Sequence, residues 1–160
     1  MCVGQKCGNK AAIHALGAIY EEETTDGVLL VNASIAFNCL NRKVALANIN
    51  NLCPALGTVL TNTYRSEPKL FIGGECIPSR EGTTQGDPLA MAMYAMATLP
   101  LIQSLHREAE VEQIWFADDS AAGGNVNGLR IGGIGLFRKA QLSDIMSTLK
   151  RLACCERRPV

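Results

Sequence analysis

Between residues 88 and 102 the chain reads Pro-Leu-Ala-Met-Ala-Met-Tyr-Ala-Met-Ala-Thr-Leu-Pro-Leu-Ile, without a single charge. A helix that is apolar on nearly every face has no side to offer to water, so it belongs at the centre of a core with other elements wrapped around it. Asp87-Pro88 in front of it supplies an N-cap acid and a proline suited to the first helical position. Asp87 therefore reads as a cap before it reads as a catalyst. Pro100 predicts a kink. At about 15 residues with an internal proline, the run is too short for a bilayer span, and a buried helix is the reading.

The elements available to wrap it follow from periodicity. Residues 10–23 place Ala12, Ile13, Leu16, Ile19 and Tyr20 at helical spacing, and the acidic end Glu21-Glu22-Glu23 opposes the helix dipole. Val28-Leu29-Leu30-Val31 reads as a strand buried on both faces, ending at Asn32-Ala33-Ser34. A second helix is predicted from near Asn38 through Leu40, Val44, Leu46 and Ile49, and a further helical piece over residues 55–64. Lys69-Leu70-Phe71-Ile72, Gly73-Gly74 and Glu75-Cys76-Ile77-Pro78 form a hairpin pattern, the glycines supplying the positive φ of a two-residue turn. A polar loop covers residues 79–86. Residues 111–117 form the next strand. Beyond it the pattern loosens through the glycine-rich residues 124–135, and a final amphipathic helix is expected on Leu142, Ile145, Met146 and Leu149. Strands with polar tips, a helix between them and helices over the faces make an α+β fold, a small antiparallel sheet packed on helices.

One strand tip carries chemistry. Ile114-Trp115-Phe116-Ala117 runs into Asp118-Asp119-Ser120, with Ala121, Ala122, Gly123 and Gly124 behind. Adjacent carboxylates repel and lose solvation unless water, a basic group or a cation accompanies them. Mg²⁺ suits such a pair, since it takes one or two carboxylates together with substrate phosphates. An ordinary solvated turn is the competing reading, because turns favour Asp. If the two strands pair, the tips near Asn32 and near Asp118 lie side by side.

Composition limits the alternatives. A chain of 160 residues with 48% hydrophobic content suits one ordinary domain and excludes disorder. Seven cysteines, an odd set without CxxC pairs, point to reduced thiols and an intracellular setting in cytoplasm or nucleus. No basic-plus-apolar leader is present at the start. The formal net charge of +0 withholds the general basic surface by which proteins grip nucleic acid, so any such grip has to be local. His14 and His106 sit in helical patterns without partners.

Three blocks, in order, then resemble the palm motifs of reverse transcriptases. Val31-Asn32-Ala33-Ser34-Ile35-Ala36-Phe37 is similar to the first palm motif, Asp-x-x-x-Ala-Phe/Tyr. Arg80-Glu81-Gly82-Thr83-Thr84-Gln85-Gly86-Asp87-Pro88-Leu89 resembles the Gln-Gly-Asp-Pro-Leu block of non-LTR retroelement (retrotransposon) and intron-type enzymes. Phe116-Ala117-Asp118-Asp119 is similar to Tyr/Phe-x-Asp-Asp. The resemblance covers residues 1–124 as a partial polymerase palm and leaves 125–160 as a divergent C-terminal tail with a helix. It implies RNA-directed DNA polymerase chemistry: nucleotidyl transfer with two Mg²⁺, or Mn²⁺, on a template-primer of RNA or DNA with a dNTP.

By that resemblance Asp118 is the principal metal ligand and Asp119 an auxiliary one, with the Ala33 carbonyl adding an oxygen. Ile35 and Ala36 would face the triphosphate with their amides, Phe37 would pack under the sugar, Gln85 and Gly86 would lie against the nascent base pair, and Arg80 would approach a phosphate. Phe37 reads equally as a core aromatic, and Arg80 equally as a surface cation. The departure is Asn32, which stands where the family has its first metal-binding Asp. An amide brings no charge, and Asp26, about 20 Å down the strand, is out of reach. Weak metal binding and an impaired or inactive enzyme are therefore expected. The stretches before residue 25 and after residue 124 do not match the family's fingers and thumb. The other reading is a non-catalytic nucleic-acid-binding or protein-interaction relic of a retroelement.

Overall fold

The computed structural model describes residues 6–33, 35–84, 86–142 and 149–156. Within them the order is α1 (Gly8–Glu21), β1 (Gly27–Ala33), α2 (Arg42–Leu52), α3 (Pro54–Tyr64), β2 (Lys69–Ile72), β3 (Glu75–Pro78), α4 (Ala90–Glu108), β4 (Val111–Phe116), β5 (Asp119–Gly124), α5 (Val126–Leu142) and β6 (Leu149–Glu156). The expected α+β architecture is present. One antiparallel sheet has the order β4-β5-β1-β6, and β2-β3 is a separate hairpin.

The uncharged run does what its composition demands. In α4, Met93, Tyr94, Ala97, Thr98, Leu101 and Leu105 are all buried. They share a core with Leu40, Ala45 and Ile49 of the α2 region, Leu60 and Tyr64 of α3, Leu29 and Val31 of β1, and Leu129 and Leu136 of α5. The helix continues through Pro100. A proline there leaves the Met96 carbonyl without its helical donor; the Asn48 amide donates to the neighbouring Ala97 carbonyl at 3.0 Å.

The start of α4 differs slightly from expectation. The regular helix begins at Ala90, and residues 87–89 form a lead-in turn. The N-cap position is Leu89, without a side-chain cap, so Asp87 is not the cap expected; its Oδ1 instead accepts from the Leu89 amide at 2.8 Å within the lead-in turn. The second helix begins later than residue 38. Asn41 is its N-cap, its Oδ1 accepting from the amides of Lys43 and Val44, and residues 35–39 are turns. In α1 the predicted stripe is only half covered. Leu16, Ile19 and Tyr20 are half-buried, while Ile13 is 68% exposed.

The glycine-rich stretch is a correction. Residues 126–142 form a helix, not a loop, and Leu142 ends it while Leu149 begins strand β6. Ile145 and Met146 lie outside the described residues. Glycine costs a helix about 1 kcal/mol relative to alanine, so something must offset it. Two acceptors hold the first turn: Asp26 Oδ2 takes the Val126 amide at 3.1 Å, and Asn125 Oδ1 takes the Gly128 amide at 2.7 Å. The glycines also permit a close approach. A Cβ at Gly128 would stand 2.9 Å from the Glu110 carbonyl, and one at Gly133 would stand 3.2 Å from Leu29 Cδ2. The small side of α5 thus lies down on the sheet.

Candidate functional site: the paired strand tips

The two polar tips meet, though not by direct pairing of their parent strands. β4 turns back at Ala117-Asp118 into β5, and β5 lies between β4 and β1. In that register Phe116 faces Asp119 across the turn, and Asp119 faces Asn32 across the next ladder. The Asn32 Nδ2 donates to Asp119 Oδ1 at 2.8 Å, and the Ala33 amide donates to the Asp118 carbonyl at 2.9 Å. Asn32, Ala33, Asp118 and Asp119 are thereby one cluster. Asp119 is exposed, Asp118 and Asn32 are half-buried, and Ala33 is buried.

The turn is strained in a localised way. Ala117 has φ 53° and Ile35 has φ 55°. The left-handed region costs an L-residue roughly 1–2 kcal/mol, and a β-branched residue there is a genuine outlier. Both positions flank the tip. Strain of this kind persists only where the surroundings over-determine the backbone.

Beneath the tip lies Tyr94, a residue that sequence reading did not single out. Its ring packs on Phe37 with centroids 4.6 Å apart. Burial raises its pKa well above the ordinary value, and the charge of Asp118 adds to the effect. Phe37 is half-buried and packs against the core. Ala36 is 2% exposed and Ile35 is 64% exposed.

The polar loop docks on the same turn. The Gly82 amide donates to the Leu40 carbonyl and the Thr83 amide to the Phe37 carbonyl, both at 2.8 Å. Gly82 has φ +69°, and a Cβ there would fall 2.4 Å from the Asn38 carbonyl oxygen. Only glycine lets the two segments come this close.

Arg42 fastens the loop from below. It is 7% exposed. Its Nε donates to the Gly82 carbonyl (3.0 Å), one terminal nitrogen to the Ser79 carbonyl (2.8 Å), and the other to the Glu81 carbonyl (2.8 Å) and Ser79 hydroxyl (3.2 Å). The guanidinium lies 4.8 Å from the centre of the Tyr64 ring. Burial lowers its pKa, and Tyr64, Glu67 and Glu81 oppose that change; an arginine stays charged regardless. The Tyr64 hydroxyl donates to Asp87 Oδ2 and accepts from the Thr84 amide. Arg42, Tyr64 and Asp87 thus form one scaffold under residues 79–87. In α2 the buried face consists of Arg42, Ala45 and Ile49, so the arginine sits on the core side of its helix.

The remaining predicted residues stand apart. Arg80 is exposed and pairs with Glu67 at 3.4 Å, both side chains largely in water, where such a pair contributes little. Gly86 is exposed with φ +89°. Gln85 lies outside the described residues. Asp26 is at the far end of β1, capping α5.

As a cation site the tip offers two carboxylates and an amide. Asn32 brings no charge, and its NH₂ engages an Asp119 oxygen that a cation would need. Among the described residues no three His, Cys, Asp or Glu side chains come together. The donor set does not fit a pair of Mg²⁺ ions. On the α1 side the tip is flanked by a groove of about 250 Å³ lined by Ala12, Ile13, Leu16, Leu30 and Phe116, with Asp119 at its edge. Among the described residues that line it, none is basic.

No family model matches the sequence, and no curated protein matches it. Among solved structures the chain is similar to apo telomerase from Candida tropicalis truncated from its C-terminal domain, with a TM-score of 0.54 at 10% identity. The match covers 93% of this chain and 35% of the telomerase chain. At that identity the likeness is one of fold, extending over nearly all of this chain and about a third of the other.

Proposed function

We propose that the chain is a reverse-transcriptase-type palm fragment of retroelement kind that keeps the shape of the polymerase tip without competent two-metal chemistry. The observation that carries this reading is the register that sets Asn32 directly opposite Asp119, beside Asp118. The palm resemblance calls for an acid at that place. The fold likeness to a telomerase, a reverse-transcriptase-related polymerase, supports the ancestry. So does the docking of residues 82–83 on residues 37–40, which joins the first two motif blocks into one surface. The nucleotide-facing roles of Ile35, Ala36, Phe37, Arg80, Gln85 and Gly86, and any contact with template-primer or dNTP, belong to the same reading. Four described cysteines, Cys7, Cys39, Cys53 and Cys76, are free thiols, which suits an intracellular setting. No helix among the described residues is long and apolar enough to cross a membrane.

Primer extension on RNA and DNA templates, with Mg²⁺ and separately with Mn²⁺, tests the loss of chemistry. The expected result is no template-dependent product; robust extension by the chain overturns the reading. A protein-interaction role is the second reading, favoured by β2–β3, where Phe71 is 76% and Ile72 63% exposed. Filter binding of template-primer across a salt series separates the two. A steep slope supports retained nucleic-acid contact, and negligible binding supports the protein-interaction role.

A further inference from the structure

We propose that the Asn32 amide is a cation-free clasp, holding the Asp118-Asp119 tip where an acid at the same place would need a metal ion. Residues 32 and 33 each reach across to the tip, one through a side chain to Asp119 and one through a backbone amide to the Asp118 carbonyl. Asn32 and Asp119 are direct cross-strand partners. Like charges at such a position destabilise the pair, and Asp118 stands one residue away. An acid at position 32 would therefore crowd three carboxylates at one tip, tolerable only with a cation between them. The amide reverses the balance. It adds no charge, and its partly positive NH₂ donates into Asp119, a charge-assisted bond of ordinary length. The turn it secures is the strained one, with Ala117 at φ 53°. Order at the tip is thus independent of divalent ions. The clasp is a matter of geometry and goes beyond the palm reading, which concerns only the chemistry that was lost.

Thermal unfolding of the whole chain and of Asn32→Asp, in EDTA and in millimolar Mg²⁺ or Mn²⁺, tests it. The parent chain should melt at the same temperature in both conditions. Asn32→Asp should melt about 1–4 °C lower than the parent in EDTA, and Mn²⁺ should raise the variant alone. A divalent shift in the parent as large as in the variant overturns the clasp, and so does a variant that loses nothing in EDTA. A variant that loses stability in EDTA yet gains nothing from either ion overturns the claim that a cation would take the place of the amide, while the palm reading is judged separately by primer extension. Should Asn32→Asp not fold, the parent still decides by NMR. The Asn32 side-chain NH₂ signals should be protected from exchange and unaffected by stoichiometric Mn²⁺, whereas selective broadening of those signals overturns the clasp.

Discussion

Replacing Arg42 with alanine removes four hydrogen bonds at once, three to backbone carbonyls at Ser79, Glu81 and Gly82 and one to the Ser79 hydroxyl. It also removes the cation over Tyr64. A hydrogen bond to a charged group contributes about 1.5–3 kcal/mol, and the cation–π contact about 1 kcal/mol. Summing all of them would overshoot, because the bonds share one guanidinium and the loop can turn its carbonyls to water. A loss of about 3–4 kcal/mol is the balanced figure, comparable to breaking a buried charged pair. Against a typical domain stability of about 5–15 kcal/mol this is severe, and it lowers the melting temperature by roughly 10 °C. Arg42→Lys keeps the charge but offers one ammonium in place of a planar fork, so about 2 kcal/mol should be lost. Urea unfolding measures both. Limited trypsin digestion gives the local readout, because exposed Arg80 sits within the clamped loop and its cleavage should accelerate in Arg42→Ala well before global unfolding. A loss below about 1 kcal/mol, with Arg80 cleavage unchanged, would refute the view that Arg42 holds this loop down.

Gly82→Ala should cost about 2 kcal/mol or more in urea unfolding, since it combines a left-handed backbone with a collision against the Asn38 backbone; a neutral effect would mean that the loop does not touch the turn. Alkaline pH should unfold the chain through Tyr94, whose folded pKa is raised by burial and then by Asp118. The folded state holds that phenolic proton more tightly than the unfolded state. Its contribution is therefore complete below the unfolded pKa of about 10 and is lost as pH climbs toward the folded value. Melting temperatures measured from pH 8 to 11 by circular dichroism should fall above about pH 10 in the parent, and Tyr94→Phe should flatten that fall.

Where sequence reading succeeded, the signal was local. Gly73-Gly74 between two β-prone runs could hardly be anything but a hairpin, and the structure has φ 60° and 87° there with Lys69 facing Pro78. The uncharged run had to be central. Asn32 and Asp118-Asp119 were readable as neighbours because both are the polar ends of apolar strands. Where it failed, the deciding forces were tertiary. Ser-Ala-Ala-Gly-Gly has almost no strand propensity, yet β5 is a strand because it is hydrogen-bonded on both sides, by β4 and by β1. The helix α5 overrides its glycines through caps supplied in part by Asp26, a hundred residues earlier in the chain. Arg42 gave no local hint, since its partners are backbone carbonyls of a distant loop, and carbonyls are the same in every sequence.

That last point explains how the tip keeps its geometry with an amide, and no third acid, at position 32. The placement of Asp118 and Asp119 is set by the ladder that pairs Asp119 with Asn32, by the Ala33 amide on the Asp118 carbonyl and by Tyr94 and Phe37 packed below. The adjoining loop is set by Arg42 and Gly82. None of these interactions requires a negative charge at position 32. Backbone register and core packing specify the geometry, whereas the charge count at the tip specifies the affinity for cations, and the two can change independently. An amide in place of an acid at position 32 keeps a donor toward Asp119 and leaves the first untouched while lowering the second. A fold likeness across 93% of the chain at 10% identity is in keeping with this, since many side-chain sets satisfy one backbone arrangement.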